Sequence, residues 1–173
     1  MDMAYEFEES LKAGQEGEEL FLQKFPKKLV RTAGRTEDFI DPITKDRIEL
    51  KTDKHDEHKT DNFFVEMYSN VDLQTLGGAP VAKKRGCNKF YYFFINSGNV
   101  YMFNIDDYIA KCSEYFTLHN GEKEFEEVLV PNIGYFTSGR KMKRDFFKDV
   151  YTKINIFDNV ELDCCFDTML VNA

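Results

Sequence analysis

The sequence predicts a single α/β domain of the α+β kind, in which helices flank a mostly antiparallel set of strands. Three observations lead to this prediction. A helical pattern opens the chain, several later segments alternate apolar and polar residues with the two-residue period of strands, and the composition suits a packed core. Of the 173 residues, 42% are hydrophobic and 15% are aromatic, which is typical of a folded globular protein.

The first element is a predicted helix over residues 5–25. Its apolar positions are Leu11, Leu20, Phe21 and Phe25. Pro26 follows the last of them, where a helix is expected to end because proline cannot continue it. Gly14 and Gly17 lower the helix propensity in the middle, so we expect the first turns to form a separate piece.

Strand-like segments follow the helix. KKLVRT is a weak strand candidate, and EDFIDPI and RIELKTD, separated only by TKD, predict a tight antiparallel hairpin. NFFVEMYS predicts a further strand. KFYYFFIN and NVYMFNI flank Ser97-Gly98 and predict a second hairpin.

The remaining segments predict more helices and strands. PVAKKRG suits a short helix or a loop, and residues 106–115 predict a helix with Asp106 or Asp107 near its start. EEVLVPN predicts a strand, SGRKMKRDFFKDVY a helix, and KINIF a last strand.

Composition and local patterns exclude several classes of protein. The sequence has no apolar run of membrane-spanning length and its acidic start lacks the apolar stretch of a secretory signal, so we expect a cytoplasmic protein, in the host cytoplasm if it is viral. The cysteines are Cys87, Cys112, Cys164 and Cys165. None has the C-x-x-C spacing of a zinc or redox site, which favours free thiols in a reducing compartment. P-loop, dinucleotide and nucleophile-elbow motifs are also missing from the sequence.

The charged residues of RIELKTD form the most informative pattern. In a strand, Ile48 and Leu50 face one way, and Glu49 and Lys51 share the opposite face. Such an E-x-K triplet alone is typical of an exposed ion pair that contributes little to stability.

Three other acidic residues give the triplet more weight. Asp38 lies eleven residues before Glu49 in the partner strand of the hairpin, Glu18 lies on the first helix, and Glu66 lies in the next aromatic strand. We expect the hairpin and that strand to bring Asp38, Glu49, Lys51 and Glu66 to one end of a sheet, with Glu18 beside them.

This set of residues suits phosphodiester hydrolysis. Mg²⁺ prefers oxygen ligands and is usually held by one or two carboxylates with waters and substrate phosphate. Asp38 and Glu49 supply such carboxylates, and the Leu50 carbonyl supplies a further oxygen. The metal lowers the pKa of a bound water, and Lys51 beside that water would orient it or stabilise the charge that develops on phosphorus.

The order Glu18, Asp38, Glu49-x-Lys51 resembles the PD-(D/E)XK nuclease superfamily, and within it the compact phage, archaeal and resolvase-like endonucleases. Gly14-Gln-Glu-Gly17-Glu18, the segment from Thr60 to Glu66, and GGAPVAKKRGCNKFYYFFI are similar to the family's helix start, its following strand and its small basic helix. The resemblance covers about residues 14–105, which leaves 106–173 as a C-terminal extension of the domain.

The resemblance implies a restriction-endonuclease-like core, namely a four-stranded mixed sheet flanked by helices. It also implies one or two Mg²⁺ or Mn²⁺ ions and cleavage of DNA. On the family pattern Asp38 and Glu49 hold the metal with Glu18 assisting, Lys51 acts on the water, and Glu66 is a supporting residue or an extra ligand.

Two positions have rivals, and one position departs from the family pattern. Asp41 competes with Asp38, because residues three apart in a strand face opposite sides and only one belongs to the site. Glu19 competes with Glu18, since neighbours on a helix diverge by about 100°. Glu37 stands before Asp38, where the family pattern has proline.

Basic residues near the predicted site are candidates for contacts with DNA phosphates. Lys84 and Arg85 are preferred because the resemblance places their segment beside the metal. The other candidates are Lys59, Arg140 and Lys141. His55 and His58 have a spacing that suits zinc on a helix, but the charged sequence HDEH favours a solvated loop.

The sequence therefore predicts a Mg²⁺-dependent endodeoxyribonuclease, acting on branched or structured DNA as a possible homodimer. The net charge of −8 and the pI of about 5.0 oppose tight non-specific binding to nucleic acid. They favour the first alternative, an inactive protein of nuclease fold that binds or inhibits a partner. The second alternative is an RNA endonuclease, because the chemistry is the same and no reader of the 2′-hydroxyl is evident.

Overall fold

The structure, a computed structural model, describes residues 3–32, 36–132 and 134–158, with side chains from residue 14 onward. Cys164 and Cys165 lie outside the described residues. The α-helices are α1 (Met3–Lys24), α2 (Gly78–Lys84) and α3 (Ile105–His119). The strands are β1 (Val30–Arg31), β2 (Phe39–Ile40), β3 (Arg47–Asp53), β4 (Asn62–Asn70), β5 (Thr75–Leu76), β6 (Lys89–Phe94), β7 (Asn99–Asn104), β8 (Val128–Asn132), β9 (Tyr135–Lys143) and β10 (Tyr151–Asn155).

The strands form two sheets. The first is mixed and has the order β1-β2-β3-β6-β7-β10, in which β3 and β6 are parallel and the other neighbours antiparallel. The second is antiparallel and has the order β5-β4-β9-β8. The mixed α/β class is thereby confirmed. The larger sheet has six strands, two more than the resemblance implied.

Both predicted hairpins are present. Phe39 pairs with Ile48 in the β2–β3 hairpin, and Phe94 pairs with Asn99 at the turn of the β6–β7 hairpin. PVAKKRG begins inside helix α2, whereas the predicted helix at 106–115 extends to His119. No helix in the described part of the chain is both long and apolar enough to cross a membrane.

Helix α1 is continuous through Gly14 and Gly17, so the prediction of a separate first piece is wrong. Gly17 instead marks the place where the helix meets the sheet. A Cβ atom there would lie 2.8 Å from Cδ1 of Ile95 and 2.9 Å from Cγ2 of Thr52. The missing side chain therefore lets α1 approach the end of β3 closely, which positions the residue after it, Glu18.

The prediction of a helix over SGRKMKRDFFKDVY is also wrong. This segment forms β9, followed by a 3₁₀ turn at Arg144–Phe147. Strand β9 lies between β4 and β8, and both neighbours supply backbone hydrogen bonds. Gly139, which weakens a helix, suits this strand because a Cβ atom there would lie 2.6 Å from the Val65 carbonyl oxygen. Residues after 105 thus add strands to both sheets.

The apolar core has two parts. One lies between the mixed sheet and α1, around Phe21, Phe39 and Ile48. The other joins the two sheets and α3, around Phe63, Tyr92 and Phe103. Phe63 of β4 contacts Tyr92 of β6 with 4.8 Å between ring centroids, so the second sheet packs on the centre of the first.

Candidate active site

A cavity of about 660 Å³ opens between β3, β4 and helices α2 and α3. Six residues predicted from the sequence line it together: Glu18, Asp38, Glu49, Leu50, Lys51 and Glu66. They come from α1, the start of β2, β3 and β4. The fold therefore gathers the residues on which the functional prediction depends.

Strand β3 presents its polar face to the cavity. Ile48 is 1% exposed and Leu50 is 8% exposed, whereas Glu49 and Lys51 are only half-buried. This is the alternation expected of a strand. Burial of the two apolar side chains in the core fixes the direction in which Glu49 and Lys51 point.

Asp38 is held in place by the backbone of β3. Its Oδ2 accepts a hydrogen bond of 2.7 Å from the Leu50 N–H. Strand β2 is only two residues long, so the carboxylate takes the place of a strand acceptor for this donor. Burial raises the pKa of Asp38, the Leu50 N–H opposes that shift, and the nearby charge of Glu18 adds to it.

Glu49 is the most strongly perturbed carboxyl of the cavity. Burial and then the charge of Asp38 raise its pKa to about 7, although Arg85 and Lys51 oppose the rise. Within the described residues its side chain has no hydrogen bond or ion pair. Asp38 and Glu49 are thus two desolvated carboxyls that repel each other, which is the arrangement that a bound divalent cation relieves.

Lys51 meets Glu66 across the cavity. Lys51 Nζ lies 3.3 Å from Glu66 Oε2 and 5.9 Å from the centre of the Phe64 ring. The expectation that Glu66 lies in the same sheet as the hairpin is wrong, because β4 belongs to the second sheet. The two residues face each other because the sheets pack face to face here.

Gly77 lies directly against the carboxylate of Glu66. A Cβ atom at Gly77 would lie 1.9 Å from Glu66 Oε1 and 2.9 Å from the Ser69 backbone nitrogen. The Gly77 N–H also donates to the Met67 carbonyl oxygen at 3.1 Å. The start of α2 therefore leaves room for the Glu66 carboxylate only because position 77 has no side chain.

The rival residues have different surroundings. Asp41 is buried away from the cavity lining, where its Oδ1 accepts from the backbone N–H groups of Ile43 and Thr44 at 2.8 and 3.1 Å. Burial would raise the pKa of Asp41, but these hydrogen bonds lower it below its usual value. Glu19 is exposed to solvent, whereas Glu18 lines the cavity and forms an ion pair with Arg31.

Asp38 and Glu49 fit a Mg²⁺ or Mn²⁺ ion by their chemistry, since such ions use one or two carboxylates and keep several waters. In the described ranges no three Asp, Glu, His or Cys side chains converge as a complete ligand set. Glu18 is engaged by Arg31, so its role as an assisting ligand stays a prediction, as does that of the Leu50 carbonyl.

The predicted DNA-contacting residues lie in distinct surroundings. Arg85 lies close enough to lower the pKa of both Asp38 and Glu49 by its charge, and Lys84 is exposed at the end of α2. Lys59 is exposed and forms an ion pair with Asp56.

Arg140 and Lys141 are neighbours on β9. The guanidinium of Arg140 stacks on Phe116 and Phe125 at 5.1 and 4.9 Å and donates to the Phe125 carbonyl oxygen. Lys141 is exposed and pairs with Phe64 across the strands. Arg140 is thus held by the fold, whereas Lys141 is accessible to a ligand.

The histidines of HDEH do not form a metal site with other described residues. His55 is exposed, and its Nδ1 lies 2.7 Å from Asp53 Oδ1. Between them in sequence, Glu57 is buried and accepts hydrogen bonds from Ser97 and Asn99 at 2.6 and 2.5 Å. Glu57 therefore fastens this loop to the turn between β6 and β7.

The sequence reasoning missed the apolar wall of the cavity. Its members are Phe64, Phe90, Tyr108, Ile109, Cys112, Phe116 and Met142. Tyr108, Cys112 and Phe116 are spaced four residues apart on α3, which is the pattern of one helix face. Burial raises the pKa of Cys112 to about 12, so this thiol is protonated and behaves as an apolar side chain.

Comparisons with known proteins add no relative. No protein-family model, no curated protein and no solved structure matches the chain. The cavity and the residues that line it are therefore the features that indicate a function.

Proposed function

We propose that the protein is a metal-dependent endonuclease of the PD-(D/E)XK type, with a restriction-endonuclease-like core, that hydrolyses phosphodiester bonds of DNA. One observation carries the proposal. Asp38, Glu49 and Lys51 line one cavity with Glu18 and Glu66, and they do so in the order that the family resemblance requires.

Asp38 and Glu49 would hold a Mg²⁺ or Mn²⁺ ion. When bound, the ion lowers the pKa of a coordinated water and neutralises charge on the scissile phosphate. The Leu50 N–H fixes the rotamer of Asp38 through its 2.7 Å hydrogen bond. Burial and the neighbouring Asp38 hold Glu49 partly protonated near neutral pH, so cation binding is expected to release a proton.

Lys51 would orient the attacking water and stabilise the charge that develops on the phosphate. Its ammonium group lies 3.3 Å from the carboxylate of Glu66, and Glu49 precedes it by two residues in β3. Glu66 acts as a positioning residue in this scheme, because it holds Lys51 on the cavity side.

DNA would approach beside the start of β3, where Lys84 and Arg85 lie at the end of α2. Arg85 lies within electrostatic reach of both metal-binding carboxylates. Lys59, Arg140 and Lys141 remain predicted phosphate contacts, with Arg140 already engaged by aromatic rings. A local basic surface of this kind is needed because the net charge is −8. Cytoplasmic location and a homodimer remain predictions.

The alternative of an inactive binding or inhibitor protein expects the carboxylates to be apart or the cavity to be filled. Cleavage of RNA instead of DNA is the other alternative, and it uses the same residues. The net charge favours the first of these, and the open cavity with two perturbed carboxyls favours catalysis.

A cleavage assay with a matched lysine control tests the proposal. Supercoiled, linear, branched and single-stranded DNA, and RNA, are incubated with Mg²⁺, Mn²⁺ or EDTA. We expect metal-dependent cutting of DNA that Lys51→Ala abolishes and that Lys148→Ala, at an exposed position outside the cavity, retains. Cutting in EDTA, cutting by Lys51→Ala at the wild-type rate, or no cutting of any substrate contradicts the proposal.

A further inference from the structure

We propose that the apolar wall of the cavity binds one unstacked nucleobase, next to the phosphate that Lys51 would face. The proposal rests on the nuclease function and specifies its substrate as DNA with an unpaired nucleotide at the cutting site. The proposal depends mainly on the position of the Phe64 ring, which is held in place beside the ammonium group of Lys51.

The size of the cavity is the first argument. Its volume is about 660 Å³, within the range of sites that enclose small organic ligands. A water molecule takes about 30 Å³ of liquid volume, so an ion with a few waters fills only a minor part of this space. The remaining space lies against the apolar wall.

The rings on that wall are held in place yet accessible. Phe64 and Phe116 are both half-buried and both line the cavity. The edge of Phe64 rests on the backbone of β9, because a Cβ atom at Gly139 would lie 2.5 Å from Phe64 Cζ. Phe116 is supported by Phe125 at 5.6 Å between centroids. Rings fixed in this way form a stacking surface at little entropic cost.

Lys51 lies close both to Phe64 of the apolar wall and to the carboxylate of Glu66. Its Nζ lies 5.9 Å from the Phe64 ring centre and 3.3 Å from Glu66, and Glu49 is two residues before it in β3. A base that stacks on Phe64 therefore has its own backbone phosphate within reach of Lys51. The occupant of the apolar wall is thus part of the same strand that would be cut.

Two hydroxyl groups that line the cavity beside this wall already donate hydrogen bonds within α3. Ser113 Oγ donates to the Ile109 carbonyl oxygen at 3.0 Å, and Thr117 Oγ1 donates to the Ser113 carbonyl oxygen at 2.9 Å. These hydroxyls offer no free proton for reading base edges. Binding should therefore be by stacking and tolerant of base identity.

A base inside a duplex cannot reach a cavity between two sheets without leaving its stack. The expected substrate thus carries a nucleotide that is unpaired already, such as a bulge or a loop. Binding is measured by fluorescence anisotropy with Ca²⁺ in place of Mg²⁺, on a paired duplex, the same duplex with a one-nucleotide bulge, and the bulge with an abasic nucleotide.

We expect the bulged duplex to bind roughly tenfold more tightly than both the paired and the abasic duplex, at the lower end of the range for base–aromatic stacking. Phe64→Leu should remove the difference between base and abasic site, as should Thr117→Tyr, which narrows the exposed mouth of the cavity. Phe136→Leu, at an exposed ring outside the cavity, should retain it.

Equal affinity for the bulge with and without its base overturns the proposal, as does a base effect that survives both cavity variants. The two proposals fail separately. Base-dependent binding without cleavage would leave the stacking site and remove the nuclease, whereas metal-dependent cutting with no base effect would do the reverse.

Discussion

Replacing Glu49 by glutamine should stabilise the metal-free protein at neutral and alkaline pH. Burial and then the charge of Asp38 raise the pKa of Glu49 from 4.5 to about 7 in the folded state. An acid with a raised folded pKa loses its proton first in the unfolded chain, so its ionisation favours unfolding. The penalty begins near pH 4.5 and is complete above pH 7.

The size of the effect follows from the shift. About 2.5 pKa units at 1.36 kcal/mol each give a penalty of about 3 kcal/mol on the free energy of unfolding at pH 8. For a chain of this length that corresponds to a gain of roughly 6–12 °C in melting temperature for Glu49→Gln. At pH 4.5 glutamine and the protonated glutamate are alike, so the gain should vanish.

Thermal unfolding followed by circular dichroism in EDTA, between pH 4.5 and 8, measures this gain. Glu19→Gln, at an exposed position on α1, is the matched control and should show no such pH dependence. Added Mg²⁺ should raise the melting temperature of the wild type and have less effect on Glu49→Gln. A gain that is equal at all pH values, or a loss at pH 8, would refute the reasoning.

Two further changes test other parts of the structure. Burial would raise the pKa of Glu57, but hydrogen bonds from Ser97, Tyr101 and Asn99 outweigh it and lower the pKa to about 2. The ionised carboxylate therefore stabilises the folded protein above pH 4.5, and this stabilisation is lost as the pH falls towards 2. Glu57→Gln should therefore lower the free energy of unfolding at pH 7 by about 3 kcal/mol, as measured by urea unfolding. The loss should be smaller at pH 3, and an equal loss at both pH values would contradict this account. Gly77→Ala should displace Glu66 and reduce cleavage on the order of a hundredfold, because a methyl group would lie 1.9 Å from Oε1. Since φ at Gly77 is −125°, alanine needs no left-handed backbone there, and a wild-type rate in single-turnover assays would show that Glu66 need not hold Lys51.

The sequence predicted the part of the site that depends on local pattern. The alternation in RIELKTD determines that Ile48 and Leu50 enter the core, and the short TKD connection determines that Asp38 lies beside β3. Both are consequences of strand geometry over a few residues. The choice between Asp38 and Asp41 depends on which carboxylate finds backbone donors in the turn, which is a property of the folded loop.

The contacts of Glu66 are made with residues that are distant in sequence. Its strand, NFFVEMYS, pairs with residues 138–143, which have a basic composition that suits a helix equally well. Residues 138–143 form a strand because β4 and β8 pair with them on both sides. Strand β4 is distant in sequence, so the residues of the segment alone do not predict a strand. The apolar wall was not predicted either. The apolar face of α3 has the spacing of any core-facing helix, and the sequence does not show that it faces a cavity.

The Tyr92 side chain links the two sheets beside the candidate site. It pairs with Lys51 in the mixed sheet, and its hydroxyl accepts a 3.1 Å hydrogen bond from the Phe64 N–H of β4. Strand β5 pairs with β4 only from Tyr68 onward, so on that edge of β4 the Phe64 N–H takes the tyrosine oxygen as its acceptor. The same hydroxyl donates to Asp53 Oδ2 at 2.5 Å. One buried side chain thus fixes the separation of β3 and β4 at the level of Lys51, and with it the distance across which Lys51 meets Glu66.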